Sequence, residues 1–224
     1  MVHTNWSVWR QMRQTQHESK TKLLDAAFKV VRAKGYSATR IEDICEVAGL
    51  SKGSFFHHFA SKEDLALSAA ERWSDVTGRL FAAAPYHSPA DPLDRLLAYV
   101  DFRRAILRGE LPEFTCFVGT MVQEVYETHP TLRDACEQSI SGHAETLVPD
   151  ITLAMKQYGV RGFEARTLAL HTQAVIQGAF ILAKAKDGAA VAADSLDHLR
   201  RYLELLFRRP PAKAKRSRSH KRSH

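Results

Sequence analysis

Apolar residues in this chain recur every three or four positions and almost never alternate one by one, which predicts helices throughout and no sheet. From Glu18 to Lys34, the residues Leu23, Leu24, Ala27, Phe28 and Val31 fall on one helical face, and Gly35 ends the run. A shorter set follows, Ile41, Ile44, Cys45 and Ala48. It opens behind Thr39 and Glu42, which have the spacing of a capping box, and stops at Gly49. Leu50 is expected as a buried pin and Ser51 as the cap of a second short helix, Lys52 to His58. Ser61 and Asp64 repeat the capping spacing and open a longer helix carrying Leu65, Ala69, Trp73, Val76 and Leu80. At ~1.5 Å per residue that helix is about 30 Å long before Pro85 and the polar run beyond it end it.

Beyond Pro85 the helical period continues, with helices expected near 91–108, 114–127, 130–158, 162–186 and 194–208. Gly109, Pro112, Pro130, Gly159, Gly162 and Gly188 mark the breaks, and Pro149 predicts a kink or split in the third of these helices. The last two look like a pairing surface. Leu168, Thr172, Val175, Ala179 and Leu182 share one side of 162–186, where Ala174, Gly178 and Ala185 allow close approach. Leu196, Leu199, Leu203 and Leu206 form one stripe of 194–208. Two such helices from each of two chains make a four-helix bundle.

Two short capped helices joined by a glycine turn make a helix-turn-helix, in which the second helix enters the DNA major groove with its first turn against the bases. Lys52, Ser54, His57, His58 and Lys62 offer donors with no acid on the helix between them, Gly53 leaves room for close approach, and Phe55 and Phe59 have the spacing to anchor the helix from behind.

The run Gly35-Tyr36, Thr39, Ile44, Ala48-Gly49, Ser51-Lys52-Gly53-Ser54, His57, Phe59 and Ser61-Lys62-Glu63 resembles the DNA-binding head of the TetR family of repressors, over about residues 18–68. One position departs from the family pattern: Phe56 stands where Tyr is common, which removes a hydroxyl that usually meets a phosphate. The resemblance implies a fold that is all-α, with an N-terminal three-helix head and a C-terminal helical body. It also implies a homodimer joined through the helices near 162–186 and 194–208, and a small-molecule effector held in the body. The fourth helix, shared by head and body, would convert pocket filling into a change in head spacing. Cys116 to Glu124, CFVGTMVQE, also resembles a stretch seen in a subset of the family.

Residues 1–17 are accordingly expected as a flexible arm, 18–66 as the DNA-binding domain, 67–208 as the effector-binding and dimerisation domain, and 209–224 as a disordered basic tail. Trp6, Trp9, Arg10 and Arg13 raise the idea of an arm reaching the minor groove. The tail either adds salt-sensitive DNA attraction or serves only solubility. The expected DNA-contacting set is Thr39, Arg40, Ser51, Lys52, Gly53, Ser54, Phe56, His57 and Lys62, with Thr39, Arg40 and Lys62 on phosphates. For the effector, the aromatic character of 91–127 points to Phe102, Cys116, Phe117, Thr120 and Met121. Trp73, His143, Gln173 and Gln177 complete that set, and Cys116, near a helix start, is also weighed as an oxidant-sensing thiol.

Charge supports a division of labour. Residues 1–62 carry a net charge of +5, 63–207 of −6 and 208–224 of +8, within a total of +7. Only the ends attract a polyanion. A content of 45% hydrophobic and 25% charged residues fits a soluble globular chain, and neither a leader-like apolar core nor a membrane-length run is readable, so a cytoplasmic protein is expected. Cys45, Cys116 and Cys136 lie far apart and suggest neither a disulfide framework nor a zinc site. No supported nucleophile, acid–base pair or metal cluster is readable, so neither an enzyme nor a cofactor is expected. A protein that coats DNA without sequence preference is the other class the charge allows.

Overall fold

The computed structural model describes residues 6–207 except Asp187, with side chains described from His17 onward, and among these residues it contains helices and no strand. The tail, and the side chains of Trp6, Trp9, Arg10 and Arg13, lie outside the described residues. The helices are α1 (Trp6–Lys34), α2 (Ile41–Ala48), α3 (Lys52–His58), α4 (Lys62–Ala82), α5 (Pro92–Ala105), α6 (Leu111–Phe114), α7 (Phe117–Val125), α8 (Pro130–Glu145), α9 (Val148–Tyr158), α10 (Ala165–Lys186) and α11 (Ala190–Leu206), with a 3-10 turn at Pro85–His87. Helix α1 begins at Trp6, well ahead of the expected start near Glu18.

Local chemistry explains most of the boundaries. Ser51 Oγ accepts the Ser54 N–H at 3.2 Å to start α3, and Ser61 Oγ accepts the Asp64 N–H at 3.1 Å to start α4. Gly49 closes α2 with φ 64°, a left-handed conformation that glycine adopts without a Cβ clash, and the Leu50 N–H returns to the Cys45 carbonyl at 2.9 Å. Pro149 splits the expected long helix into α8 and α9. The expected helix over 114–127 also divides, because Cys116 adopts extended backbone between α6 and α7 and its Sγ accepts the Gly119 N–H at 3.3 Å.

The start of α2 differs from the expected capping box. Arg40 is the N-cap residue, and Asp43 accepts its N–H at 2.7 Å, while the hydroxyl of Thr39 donates to the Gly35 carbonyl at 2.6 Å. Thr39 is thereby spent on closing the loop after α1. Leu50 is half-buried rather than a fully buried pin.

Two large cores, with a small alanine cluster at Ala179, Ala183 and Ala192, hold the described residues together. The first joins Leu23, Ala27 and Phe28 of α1, Ile44 of α2, Phe55 of α3 and Leu65 and Ala69 of α4 to Phe117, Met121 and Val125 of α7 and Leu132 and Cys136 of α8. The first four helices thus share apolar packing with the body instead of forming a separate bead. The second core joins Leu96, Tyr99 and Val100 of α5 to Ile151 of α9, Leu168 and Ile176 of α10 and Leu196, Leu199 and Leu203 of α11. Cys116 touches both.

This second core changes the expected pairing surface. Leu168, Thr172, Ala179, Leu196, Leu199 and Leu203 are buried within one chain, so the α11 leucine stripe is consumed internally. The apolar residues left outside are Leu170, Ile181 and Leu182 on α10 and Tyr202 and Leu205 on α11, beside exposed Ala174 and half-buried Gly178. On α4, Val76 and Leu80 are likewise exposed, and Ala66, Ala70 and Phe81 take the buried positions.

Candidate functional site

Helix α3 stands out from the head because its inner side is buried and its outer side is exposed. Phe55 and Phe59 are 0% and 2% exposed and pack against each other with ring centroids 5.7 Å apart. His58 Nε2 lies 2.6 Å from Ser19 Oγ and ties the helix to α1; burial lowers its proton affinity. The outer side presents Ser51, Lys52, Gly53, Phe56 and His57, with Ser54 half-buried at the first turn. Phe56 is 56% exposed, with one edge of its ring against Phe55 at a centroid distance of 5.2 Å. No acid lies in the first turn of α3. Lys52 pairs with Glu42 of α2, but both side chains are more than half exposed, so this ion pair is weak and exchangeable. A Cβ added at Gly53 would meet only Ser51 Oγ, at 3.6 Å. The helix therefore has an open, donor-bearing tip that a groove can approach.

Three flanking residues divide. Arg40 is exposed and pairs with Asp43, whose carboxyl is held far below the usual range by Lys34, by the Arg40 N–H and by the Arg40 guanidinium. Thr39 is 2% exposed, with its hydroxyl donated to the Gly35 carbonyl. Lys62 is also engaged: Nζ donates to the carbonyls of Tyr36 at 3.1 Å and Thr39 at 3.0 Å and stands 4.3 Å from the centre of the Tyr36 ring. Desolvation lowers its proton affinity. This geometry makes Lys62 a strut beneath the loop before α2.

A cavity of about 190 Å³ lies where the two cores meet. Of the residues expected around an effector, Trp73, Cys116, His143, Gln173 and Gln177 line it. Phe102, Phe117, Thr120 and Met121 do not. Phe117 and Met121 are fully buried in the first core, Phe102 packs on Phe81 and Tyr86, and Thr120 accepts a hydrogen bond from Lys184 at 2.7 Å beside a smaller recess. The pattern of the sequence missed Arg32 and Arg103, which also line the cavity. Charged residues at the edge of an apolar stripe give the same signal as solvent-facing ones.

The polar side of this cavity is ordered. Gln173 Nε2 donates to the Tyr99 hydroxyl at 3.0 Å, and that hydroxyl lies 2.9 Å from His143 Nε2. Burial, with Arg103 nearby, pushes the His143 proton affinity down to about 3, so the ring is neutral at ordinary pH. Among the described residues no helix is long and apolar enough to cross a membrane, and no cluster of three or more His, Cys, Asp or Glu is placed to hold a metal ion.

A three-helix head with an exposed, acid-free second reader helix, joined to an all-helical body that encloses a cavity, defines a helix-turn-helix DNA-binding regulator. Comparison with known proteins agrees. Residues 23–69 match the family of bacterial regulatory proteins of the tetR type, and residues 92–193 match the C-terminal domain of LmrA/YxaF-like transcriptional regulators. The transcriptional regulator AcuR of Cereibacter sphaeroides is 30% identical over 109 residues, 46% of this chain and 47% of AcuR, so the match spans about half of that relative's length. The regulator LmrA of Bacillus subtilis is 24% identical over 173 residues, 74% of this chain and 86% of LmrA. The crystal structure of a TetR transcriptional regulator from Chloroflexus aurantiacus aligns with a TM-score of 0.74 at 26% identity, over 85% of this chain and 96% of that one. The chain belongs to the TetR family of DNA-binding transcriptional regulators and is not an enzyme.

Proposed function

We propose that the protein is a homodimeric repressor that binds a palindromic operator and releases it when a small effector fills the cavity. The observation that carries the DNA-binding mode is the α3 tip: Ser51, Lys52, Gly53, Ser54, Phe56 and His57 on a helix clamped from behind by Phe55 and Phe59. Lys52, Ser54 and His57 supply groups for base edges, and Phe56 supplies apolar contact with a thymine methyl or a sugar. Arg40, at the N-cap of α2, exchanges Asp43 for a phosphate.

Residues 18–66 serve as the reader and 67–208 as the sensing and pairing body. Two readers must meet half-sites about 34 Å apart, which requires a twofold partner. The outward apolar residues of α10 and α11, Leu170, Ile181, Leu182, Tyr202 and Leu205, support pairing there, with Ala174 and Gly178 allowing close approach.

The cavity is connected to the reader through its own walls. Arg32 belongs to α1 and Trp73 to α4, and the Arg32 guanidinium lies 5.1 Å from the Trp73 ring centre. Both helices also share the first core with Phe55 of α3. An effector that favours the DNA-incompetent arrangement a hundredfold supplies about 2.7 kcal/mol of coupling through these contacts.

Selection of bound sequences from a random DNA pool tests the reading. The expected result is a palindrome with half-sites one helical turn apart. Enrichment of a single half-site, or none, would overturn it.

A further inference from the structure

The cavity carries a charge signature that the family relationship does not supply. Arg103 of α5 reaches its wall with the guanidinium 5.0 Å from the Phe81 ring centre and 5.7 Å from that of Phe180. Other arginines of α5 have carboxylate partners: Arg95 meets Asp150 at 2.7 Å and Arg104 meets Asp197 at 2.9 Å. Among the described residues Arg103 has none. A cation held between aromatic faces in a partly desolvated wall, with no counter-charge, is a poor structural residue and a good anion receptor.

Other charged and titratable groups on the wall are consistent with this. Arg32 donates through Nε and Nη1 to the carbonyls of Phe28, Glu113 and Thr115 and brings a second guanidinium to the cavity wall, where burial lowers its proton affinity. His143 is held against the Tyr99 hydroxyl, which Gln173 also reaches, and its neutral ring brings no negative charge to the wall. The only acid on the cavity wall among the described residues is Glu113; it is exposed, and its carboxylate accepts the Glu110 N–H at 2.7 Å at the start of α6. Cys116 is spent as the α7 cap. The walls between these groups are apolar: Trp73, Ile106, Leu107, Phe114 and Phe180.

We infer that the effector is a small organic carboxylate with an apolar or aromatic body, its anion bound by Arg103 and its body by the surrounding rings. This inference rests on the effector-cavity reading above and names the ligand class for the same site. An apolar cavity of about 150 Å³ accepts one benzene ring. A cavity of about 190 Å³ suits one ring bearing a carboxylate.

The test is calorimetric titration of the full-length protein with benzoate and phenylacetate, with benzamide and phenylacetamide as neutral counterparts and benzylamine as the cation. The acids are expected to bind about tenfold or more tightly than the amides, because only the acids offer the half-buried Arg103 guanidinium a charged partner. Arg103→Gln should abolish that preference without weakening the amides, and Arg103→Lys should restore part of it. If acid and amide bind equally, or the amine binds best, and Leu80→Trp at the cavity mouth blocks binding, the cavity stands and the carboxylate inference falls. If no compound binds, or Leu80→Trp changes nothing, the cavity reading fails and takes the inference with it.

Discussion

The carboxylate of Glu124 on α7 accepts the backbone N–H of Tyr36 at 3.1 Å and, through its other oxygen, that of Ser37 at 2.7 Å. The body thus grips the loop that leads into the reader. Gly35 permits the grip: its φ of 86° is left-handed, and a Cβ there would lie 2.2 Å from Glu124 Oε1. Glu124→Ala removes both acceptors at a partly exposed site, so a loss near the low end of the hydrogen-bond range, about 1 kcal/mol, is expected. For a chain of this size that lowers Tm by about 2–4 °C. Calorimetry on Glu124→Ala and Glu124→Gln, which keeps one acceptor, measures the contribution. An unchanged Tm in both would show that the grip adds nothing to stability.

Lys62 and Arg40 are predicted to behave oppositely, although both are cations beside the reader. Lys62 holds the Tyr36 and Thr39 carbonyls, so Lys62→Ala should destabilise the head by about 1–2 kcal/mol and leave the salt dependence of operator binding parallel to the parent's. Arg40 is exposed with a carboxylate partner it can exchange, so Arg40→Ala should leave Tm nearly unchanged. It should also flatten the slope of log affinity against log salt by about 0.9 for each phosphate that Arg40 neutralises. Binding isotherms at several salt concentrations, with melting curves, separate the two. A flattened slope for Lys62→Ala would return that residue to the DNA-binding surface.

At Gly53 the neighbouring space is open on the protein side, with Ser51 Oγ at 3.6 Å the nearest atom to an added Cβ. Gly53→Glu should therefore fold with a nearly unchanged Tm. Facing DNA, the same change brings bulk and a negative charge into the groove, and operator affinity should fall about a hundredfold or more. Operator binding retained by a well-folded Gly53→Glu protein would mean that another surface reads the bases.

Much of this architecture is legible in the sequence because it is written in local signals. Ser51, Gly49 and Ser61 fix helix ends by their own side chains or lack of one, and Phe55 and Phe59 are set one turn apart. Less legible are the places where a distant partner engages a residue. Thr39 and Lys62 look like phosphate ligands until the loop after α1 folds and offers them carbonyls. Helix α10 has apolar residues on two faces, Leu168 and Ile176 on one and Leu170 and Ile181 on another, and periodicity does not say which face its own chain covers. The cavity shows the same limit. Aromatic content points to Phe102, Phe117 and Met121, but packing spends them elsewhere and brings Arg32 and Arg103 to the wall from helices far apart in sequence.

His143 gives a pH prediction with a defined sign. Its proton affinity is near 3 in the folded protein, against an ordinary value of 6.5, because burial opposes its charge. Between those values the unfolded chain binds the proton and the folded one does not, so stability falls as pH drops below about 6.5 and is flat above it. The slope approaches about 1.4 kcal/mol per pH unit for one such group. Denaturant unfolding at pH 7 and pH 5 should show this loss, and His143→Gln, which keeps an acceptor for Tyr99, should shrink it. Some slope will remain from His58, whose affinity is also lowered by burial. Equal pH dependence in parent and variant would show that His143 is not buried as the neutral form.

The pairing surface can be tested at half-buried Gly178. No atom lies within 4 Å of a Cβ added at Gly178, and the neighbouring Ile181 and Leu182 are 47% and 45% exposed. An arginine there costs the monomer only the helix difference between Gly and Arg, which favours Arg by several tenths of a kcal/mol. At a close helix crossing between two copies, the same side chain would bury charge against the partner and force the helices apart. Gly178→Arg should therefore keep or slightly raise helicity and turn a dimer into a monomer by sedimentation velocity. Operator affinity should drop steeply as well, since a single reader holds one half-site with half the phosphate contacts. A Gly178→Arg protein that remains dimeric would move the pairing surface away from this face of α10.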